Sequence, residues 1–161
     1  MVEIDVVQLE KRGKQIRRDT LTLAGENQGY HLGGSFSAVD LMVALYDVVL
    51  KPEDKFILSK GHACFPLYVL LRERGYNPKI SGHPSIDVAN GIECTTGSLG
   101  HGLPMGVGIA MAKKAKKESG RVYVLMGDGE CQEGTTWESG LLAEKYRLDN
   151  FVVGSHNELA F

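Results

Sequence analysis

The sequence predicts an α/β fold, in which a parallel sheet is flanked by helices. Short apolar segments alternate along the chain with longer segments whose apolar residues recur at helical spacing. The segment VYVLMGDGECQEGTTWE, at residues 122–138, adds a second observation, because an acid between two glycines directly follows an apolar strand. Ligands of such folds bind beyond the carboxyl ends of the strands, and Asp128 stands at that place.

The first third of the chain predicts two helices and a strand. Apolar residues recur at helical spacing from residue 6 to about residue 26. Glycines then interrupt the pattern, and Ser37 is a suitable N-cap for the strongly apolar helix that follows it. The segment KFILS, at residues 55–59, predicts a brief strand.

The middle of the chain predicts a helix and a long loop. Residues 63–75, ACFPLYVLLRERG, have the composition of a helix that ends at Gly75. Residues 81–102 are too rich in Gly, Ser, Thr and Asn for regular structure. Long ordered loops inside compact domains are commonly functional, so we expect this loop to contribute to a site.

The last third predicts two further helices, each followed by a strand. A helix of small residues covers residues 103–117, and its terminal lysines suit the negative end of the helix dipole. The strand at residues 122–126 follows, then a helix at residues 135–146 and a strand at residues 151–154.

The composition limits the class of protein. With 161 residues and a formal net charge of −2, the chain suits one domain and has no electrostatic support for binding nucleic acid or a membrane surface. No apolar run approaches the roughly 20 residues that cross a bilayer, and the N-terminus lacks the apolar centre of a signal peptide. The three cysteines lack CxxC spacing, which indicates neither a disulfide framework nor a zinc knuckle, so we expect a cytoplasmic protein.

From the residues alone, Asp128 has two interpretations. Flanking glycines let the backbone turn sharply and let a ligand approach, and an acid there can hold a Mg²⁺ that in turn holds a phosphate. An ordinary strand-to-helix turn with Asp128 as a local cap explains the same residues. A second glycine pattern, at residues 100–108, follows no strand and precedes no acid at the expected distance, so it does not indicate a nicotinamide site.

Four histidines lie in or beside glycine-containing loops: His31, His62, His83 and His101. Any one of them could be structural, but four in the turns of one α/β domain favour a shared site, because imidazole donates, accepts and shuttles protons near neutral pH. A zinc cluster is the alternative, although the spacings match no common ligand pattern.

Three motifs resemble the diphosphate-binding domain of transketolases: SKGHACFPLYVLLRERGY, TTGSLGHGLPMGVGIA and MGDGECQEGTTWESGLLAEKYRLDN. The similarity is strongest to the separate N-terminal subunits into which some bacteria and archaea divide that enzyme. It implies an enzyme that uses thiamine diphosphate and Mg²⁺ to move a two-carbon ketol unit between sugar phosphates. A separate C-terminal pyrimidine-domain subunit would then supply the cofactor-activating glutamate, in a homo- or hetero-oligomer.

The resemblance also implies roles for individual residues. Asp128 would bind the Mg²⁺ that bridges the diphosphate of the cofactor, and Asn157 would be the second metal ligand. The histidines that handle substrate and protons in the family match His31, His62 and His83. The residues in contact with the cofactor would be Gly97, Ser98, Leu99, Gly127, Asp128, Gly129 and Asn157.

Three features depart from the family pattern. His101 replaces the usual glutamine. We expect Gly154 to cut the last strand short, and Asn157 then arrives about one residue early, which can turn its side chain away from the metal. Since the chain stops at Phe161, we expect residues 1–161 to form a single, partial diphosphate-binding domain with an uncovered sheet edge and apolar face. The alternative to an enzyme subunit is a truncated, non-catalytic interaction or regulatory module with a relic cofactor site.

Overall fold

The computed structural model describes residues 5–27 and 31–156 of the chain. The helices are α1 (Val6–Glu26), α2 (Leu32–Ala44), α3 (Cys64–Glu73), α4 (Gly102–Lys116) and α5 (Gly134–Lys145). The strands are β1 (Lys55–Leu58), β2 (Val122–Gly127) and β3 (Phe151–His156). Short helical turns cover Leu45–Val49, Gly61–Ala63, Val88–Asn90 and Asp128–Gln132. Helices and strands follow one another in the predicted order.

The three strands form one parallel sheet in the order β1, β2, β3. The central strand β2 is buried along its whole length. Leu58 at the end of β1 pairs with Leu125, and Gly127 at the end of β2 pairs with His156. Because helices pack on both faces of this sheet, the predicted α/β fold is confirmed.

Successive side chains of β2 enter two separate hydrophobic cores, since side chains alternate between the two faces of a strand. One core lies between the sheet and the helices α1, α2 and α3, and it contains Tyr123 and Leu125. The other lies under α4 and part of α5, and it contains Val122, Val124 and Met126. The sheet is thereby fixed from both sides.

Two of the cysteines are core residues. Cys64 is buried in the first core and Cys94 in the second. Removal from water raises the pKa of each thiol to about 11. Because the thiolate is the reactive form, neither residue is suited to nucleophilic catalysis near neutral pH.

Helix α2 begins at Leu32, and the predicted N-cap at Ser37 is therefore wrong. Ser37 lies inside the helix, where its hydroxyl donates a hydrogen bond to the carbonyl oxygen of Gly34 at 3.0 Å. Serine can make such local bonds either at a cap or within a helix, so its presence does not fix the helix start. His31 occupies the N-cap position instead, with a left-handed backbone (φ 56°, ψ 44°).

Gly154 does not cut β3 short, contrary to the prediction. It pairs with Leu125, and the strand continues to His156. Glycine weakens a strand but does not end it where the hydrogen-bonded pairing with the neighbouring strand is kept. Asn157, the predicted second metal ligand, lies outside the described residues.

The helical segment Leu32–Val49 is long and apolar enough, by length and composition alone, to cross a membrane. The expectation that no apolar run approaches that length is therefore wrong. The buried residues of this segment, 28% of it, include Ala38, Val39 and Met42, which belong to the first core. A core helix meets the same criteria as a membrane span, and the absence of a membrane role stays a prediction.

Exposed apolar side chains are present on the edge strand β3 and on α5. Val153 of β3 is 43% exposed, and Trp137 and Leu141 on α5 are 66% and 68% exposed. The uncovered apolar face that we expected beside the last strand is present in the described part of the chain.

Gly106 of α4 lies directly against the sheet. A Cβ atom added there would be 2.5 Å from Val124 Cγ2 and 2.9 Å from Phe151 Cε2. We expect Gly106→Ala to lower the free energy of unfolding by about 1–3 kcal/mol, measured by urea denaturation, because the helix must move away from the sheet.

Gly108, on the same helix, provides the matched control. No atom lies within 4 Å of a Cβ added at this position. Gly108→Ala should therefore raise the free energy of unfolding by about 0.5–1 kcal/mol through helix propensity. Equal effects of the two substitutions would contradict the close packing of α4 on the sheet.

Candidate functional site

A cavity of about 150 Å³ lies at the carboxyl ends of β1 and β2. The turn after β1, the loop before α4 and the turn after β2 form its walls. The lining residues are Ser59, Lys60, Gly61, His62, Gly97, Leu99, Gly127, Asp128, Gly129 and Glu130. The fold thus brings most of the predicted site residues together in one place.

Larger clefts lie elsewhere, of about 480, 410 and 250 Å³. The first two include residues before or at the start of the strands, such as Asp54, and the third lies between α1 and α3. None of the three contains a predicted site residue. Position at the carboxyl ends of parallel strands, and not volume, identifies the functional cavity.

Asp128 begins the helical turn that follows β2, and its side chain is exposed. Its two glycine neighbours are not required by the packing of the chain. A Cβ added at Gly127 would be 3.8 Å from Lys60 Cβ, and one added at Gly129 would be 3.9 Å from Leu99 Cδ2. Both distances are ordinary contacts, and neither glycine has a positive φ. The missing side chains leave room beside Asp128 for a ligand.

Gly97, in contrast, is required by the chain itself. Its φ is +133°, and an added Cβ would be 2.6 Å from Cδ2 of the His83 ring. On another side, a Cβ added at Gly61 would be 2.7 Å from the Gly97 nitrogen. The loop is also tied to β1, because the Thr96 hydroxyl donates to the carbonyl oxygen of Leu58 at 2.7 Å. These contacts set the position of this wall of the cavity.

The three predicted catalytic histidines occupy two places. The rings of His31 and His62 lie edge to face with centroids 5.6 Å apart, and His62 lines the cavity. The His83 ring packs instead against Gly97, another residue that lines the cavity. The left-handed backbone of His31 is uncommon for a residue other than glycine, and such strain is concentrated at functional sites.

Ser98 and Leu99 differ in their relation to the cavity. Leu99 lines it and remains 49% exposed. The Ser98 hydroxyl lies 3.2 Å from Nδ1 of His101, whose ring also contacts the carbonyl oxygen of Leu99 at 3.0 Å. His101, which replaces the usual glutamine, thus makes hydrogen bonds within its own loop.

Lys60 is a site residue that the sequence analysis did not single out. Its side chain is almost fully buried, lines the cavity and donates to the Ser37 hydroxyl at 3.4 Å. A buried ammonium group beside a cavity attracts anionic ligands. The signal in the sequence is the position of Lys60 directly after β1 and before His62.

Glu130 is the second residue that the sequence analysis missed. Its side chain is 2% exposed. Oε1 accepts hydrogen bonds from the Ser59 hydroxyl at 2.5 Å and from the Gly100 N–H at 2.9 Å, and Oε2 accepts one from the Gly127 N–H at 2.9 Å. Each hydrogen bond to a charged group contributes about 1.5–3 kcal/mol. A glutamate three residues after the N-cap, here Gly127, is the usual partner of the N-cap N–H, which is the local signal.

No three His, Cys, Asp or Glu side chains converge as a metal cluster among the residues that the structure describes. A zinc site built by the protein alone would need such a cluster. A Mg²⁺ site needs only one or two carboxylates, because phosphate oxygens and water complete its shell. The acid Asp128 beside an open cavity suits the second kind of site.

The sequence matches the family described as transketolase, thiamine diphosphate binding domain, over residues 14–160. A subunit of the apulose-4-phosphate transketolase from Actinobacillus succinogenes is 39% identical, and the alignment covers 91% of this chain and 61% of that protein. The subunit of the same name from Phocaeicola vulgatus is 38% identical, with 93% and 60% covered.

Solved structures give the same result. The transketolase from Leishmania mexicana superposes with a TM-score of 0.83 at 27% identity, and the match covers 92% of this chain and 27% of that one. The Campylobacter jejuni transketolase superposes with a TM-score of 0.77 at 28% identity, with 94% and 28% covered. The chain spans about three fifths of the length of the curated relatives named above. It belongs to the transketolase family, as a thiamine diphosphate-binding domain.

Proposed function

We propose that this chain is the N-terminal, cofactor-binding subunit of a transketolase, which moves a two-carbon ketol unit between sugar phosphates. The observation that carries the proposal is the cavity at the carboxyl ends of β1 and β2, where Asp128, its flanking glycines and His62 meet. This is where an open parallel sheet binds its ligand.

The residues around the cavity fit a diphosphate. Gly127 and Gly129 leave space that the packing of the chain does not use. Lys60 brings a positive charge to the wall. In this proposal Asp128 would hold a Mg²⁺, with Asn157 as the second protein ligand, and the ion would neutralise the charge of the diphosphate.

Thiamine diphosphate, when bound, supplies the stabilised carbanion that cleavage of a carbon–carbon bond beside a carbonyl requires. The histidines of this chain orient the hydroxyl groups of the sugar and exchange protons with them. His31 and His62 are suited to this work because their rings are 5.6 Å apart at the edge of the cavity. His83, which packs on Gly97, contacts the same substrate from the other wall.

A second chain completes the enzyme in this proposal. Two relatives are named as one subunit of an apulose-4-phosphate transketolase, and another is named as a transketolase subunit for 6-deoxy-6-sulfo-D-fructose. We infer that this chain works with a C-terminal pyrimidine-domain subunit in an oligomer, on anionic sugars of the sugar phosphate class, in the cytoplasm.

The alternative, a non-catalytic module with a relic site, was favoured by the end of the chain from Gly154 to Phe161. Within the described residues β3 pairs through His156, so the strand is not broken at Gly154, and the gathering of the cavity residues supports the enzyme subunit.

The function is tested with the chain assembled with a candidate pyrimidine-domain subunit, thiamine diphosphate, Mg²⁺ and two sugar phosphates. We expect two-carbon transfer, measured by mass spectrometry of the products. Asp128→Asn keeps the shape but removes the charge that holds the divalent ion, and should weaken Mg²⁺-dependent cofactor binding about a hundredfold in calorimetry and abolish turnover.

Asp149→Asn is the charge-matched control, because Asp149 is an exposed acid that precedes β3 at the opposite end of the sheet. It should bind the cofactor like the wild type, and circular dichroism should be the same for all three proteins. Equal cofactor affinity in the wild type and in Asp128→Asn would remove Asp128 from the metal site.

Gly129→Ala tests the space beside Asp128. Thermal unfolding of the protein without ligand should change little, because the added methyl group meets only Leu99 Cδ2 at 3.9 Å. Affinity for thiamine diphosphate should fall by roughly tenfold or more, since the methyl group occupies the volume of a phosphate oxygen. Gly108→Ala, on the surface of α4, is the control for glycine substitution. Unchanged affinity in Gly129→Ala would show that nothing binds against this glycine.

His62→Ala separates catalysis from binding. Turnover of the assembled enzyme should fall by roughly 10²–10⁴, the typical contribution of a positioned acid or base. The dissociation constant of the cofactor should change far less, which calorimetry measures separately. A variant with wild-type turnover would exclude His62 from the chemistry.

A further inference from the structure

The two walls of the cavity are both hydrogen-bonded to one side chain. The first wall is the loop at residues 97–100 and the second is the turn at residues 127–129. No backbone hydrogen bond joins them directly in the part of the chain that the structure describes. Both walls are instead bound to the Glu130 carboxylate, through the N–H groups of Gly100 and Gly127.

We propose that Glu130 is a positioning residue that holds these two walls at a fixed separation before any ligand enters. The carboxylate also accepts the hydroxyl of Ser59, so it fixes the end of β1 to both walls. The inference rests on the proposed function only in naming thiamine diphosphate as the ligand that the cavity receives.

A carboxylate is the one side-chain type that satisfies all three donors at once, because both of its oxygens accept and neither donates. An amide at the same position turns its NH₂ group towards either Gly127 or the pair formed by Gly100 and Ser59. Buried donors that lose their acceptor are costly, so the walls would separate locally to reach water. Thr135 does not replace this link, since its hydroxyl binds the Gly100 carbonyl from α5.

The hydrogen bonds of Glu130 also determine which groups of the cavity remain to bind a ligand. The N–H groups of Gly100 and Gly127 are used within the protein and are not donors for a phosphate. In this inference the negative charge of a diphosphate is met by Lys60 and by a cation at Asp128, which both line the cavity. Glu130 acts on the ligand only through the two walls.

Hydrogen exchange of the full chain without cofactor tests the first part of the inference. In Glu130→Ala, the N–H groups of Gly100 and Gly127 should both exchange at least about tenfold faster than in the wild type. In Glu130→Gln, which keeps the volume, at least one of the two should do so. Ser59→Ala is the matched control, because it removes the third donor and leaves both N–H groups protected. Exchange at wild-type rates in Glu130→Gln and Glu130→Ala would overturn the proposal.

Cofactor binding tests the second part. With Mg²⁺, we expect the dissociation constant of thiamine diphosphate to rise about tenfold or more in Glu130→Gln, at a temperature where circular dichroism shows the same folded fraction as in the wild type. Glu144→Gln, an exposed change of the same kind on α5, should bind like the wild type. Fast exchange with unchanged affinity would mean that Glu130 only stabilises the fold, and would refute positioning. If the wild type fails to bind the cofactor even when assembled with the pyrimidine-domain subunit, the proposed function fails, while the exchange rates still decide whether Glu130 holds the walls.

Discussion

The parallel pairing of β2 with both neighbours is the constraint on which the rest of the structure depends. The strand β2 is buried on both faces and paired on both edges, so it has no position for a charged side chain. A charged side chain can first stand where the strand ends, and the residue that follows β2 is Asp128. Because the pairing is parallel, β1 and β2 end at the same edge of the sheet. The turns that follow these two strands therefore meet the loop before α4 around one cavity.

The helices make this arrangement possible by closing both faces of the sheet. Gly106 lets α4 lie so close to the sheet that an added Cβ atom would be 2.5 Å from Val124 Cγ2. On the other face, α2 packs against α1 and α3 and carries His31 at its start, while the turn after β1 carries His62. The contact between the two histidines thus depends on how α2 is packed, although they are 31 residues apart in the sequence.

Much of this could be predicted from the sequence, because the strongest signals are local. Apolar periodicity located the helices and strands, and the glycines around an acid located the cavity. Two local signals gave wrong boundaries. Ser37 can cap a helix but lies within α2. Gly154 belongs to a residue type that weakens strands, but it pairs with Leu125 within β3. In both cases contacts made in the folded protein, and not the weak local preference of the residue, determined where the helix or strand begins or ends.

The residues that sequence reasoning missed are those whose partners are distant. Glu130 stands among several other acids, and its partner Ser59 is 71 residues away. In the sequence Lys60 resembles an exposed lysine, and only the fold brings Ser37 of α2 within hydrogen-bond distance of it. The local signals, the capping position of Glu130 and the place of Lys60 directly after β1, do not show that these side chains are buried, because their environment is created by the fold.

The glycines of the site fall into two pairs, one that the packing of the chain requires and one that it does not. Gly97 and Gly61 are small because the chain packs against them, so any side chain there would disturb the protein without a ligand. Gly127 and Gly129 are small although the chain leaves space for a methyl group at each. Packing explains the first pair and does not explain the second. We propose that the reason for the second pair lies outside the chain, in a ligand that would occupy the space beside Asp128. The glycines that the fold does not need are therefore the stronger evidence for a cofactor than those that shape the loop.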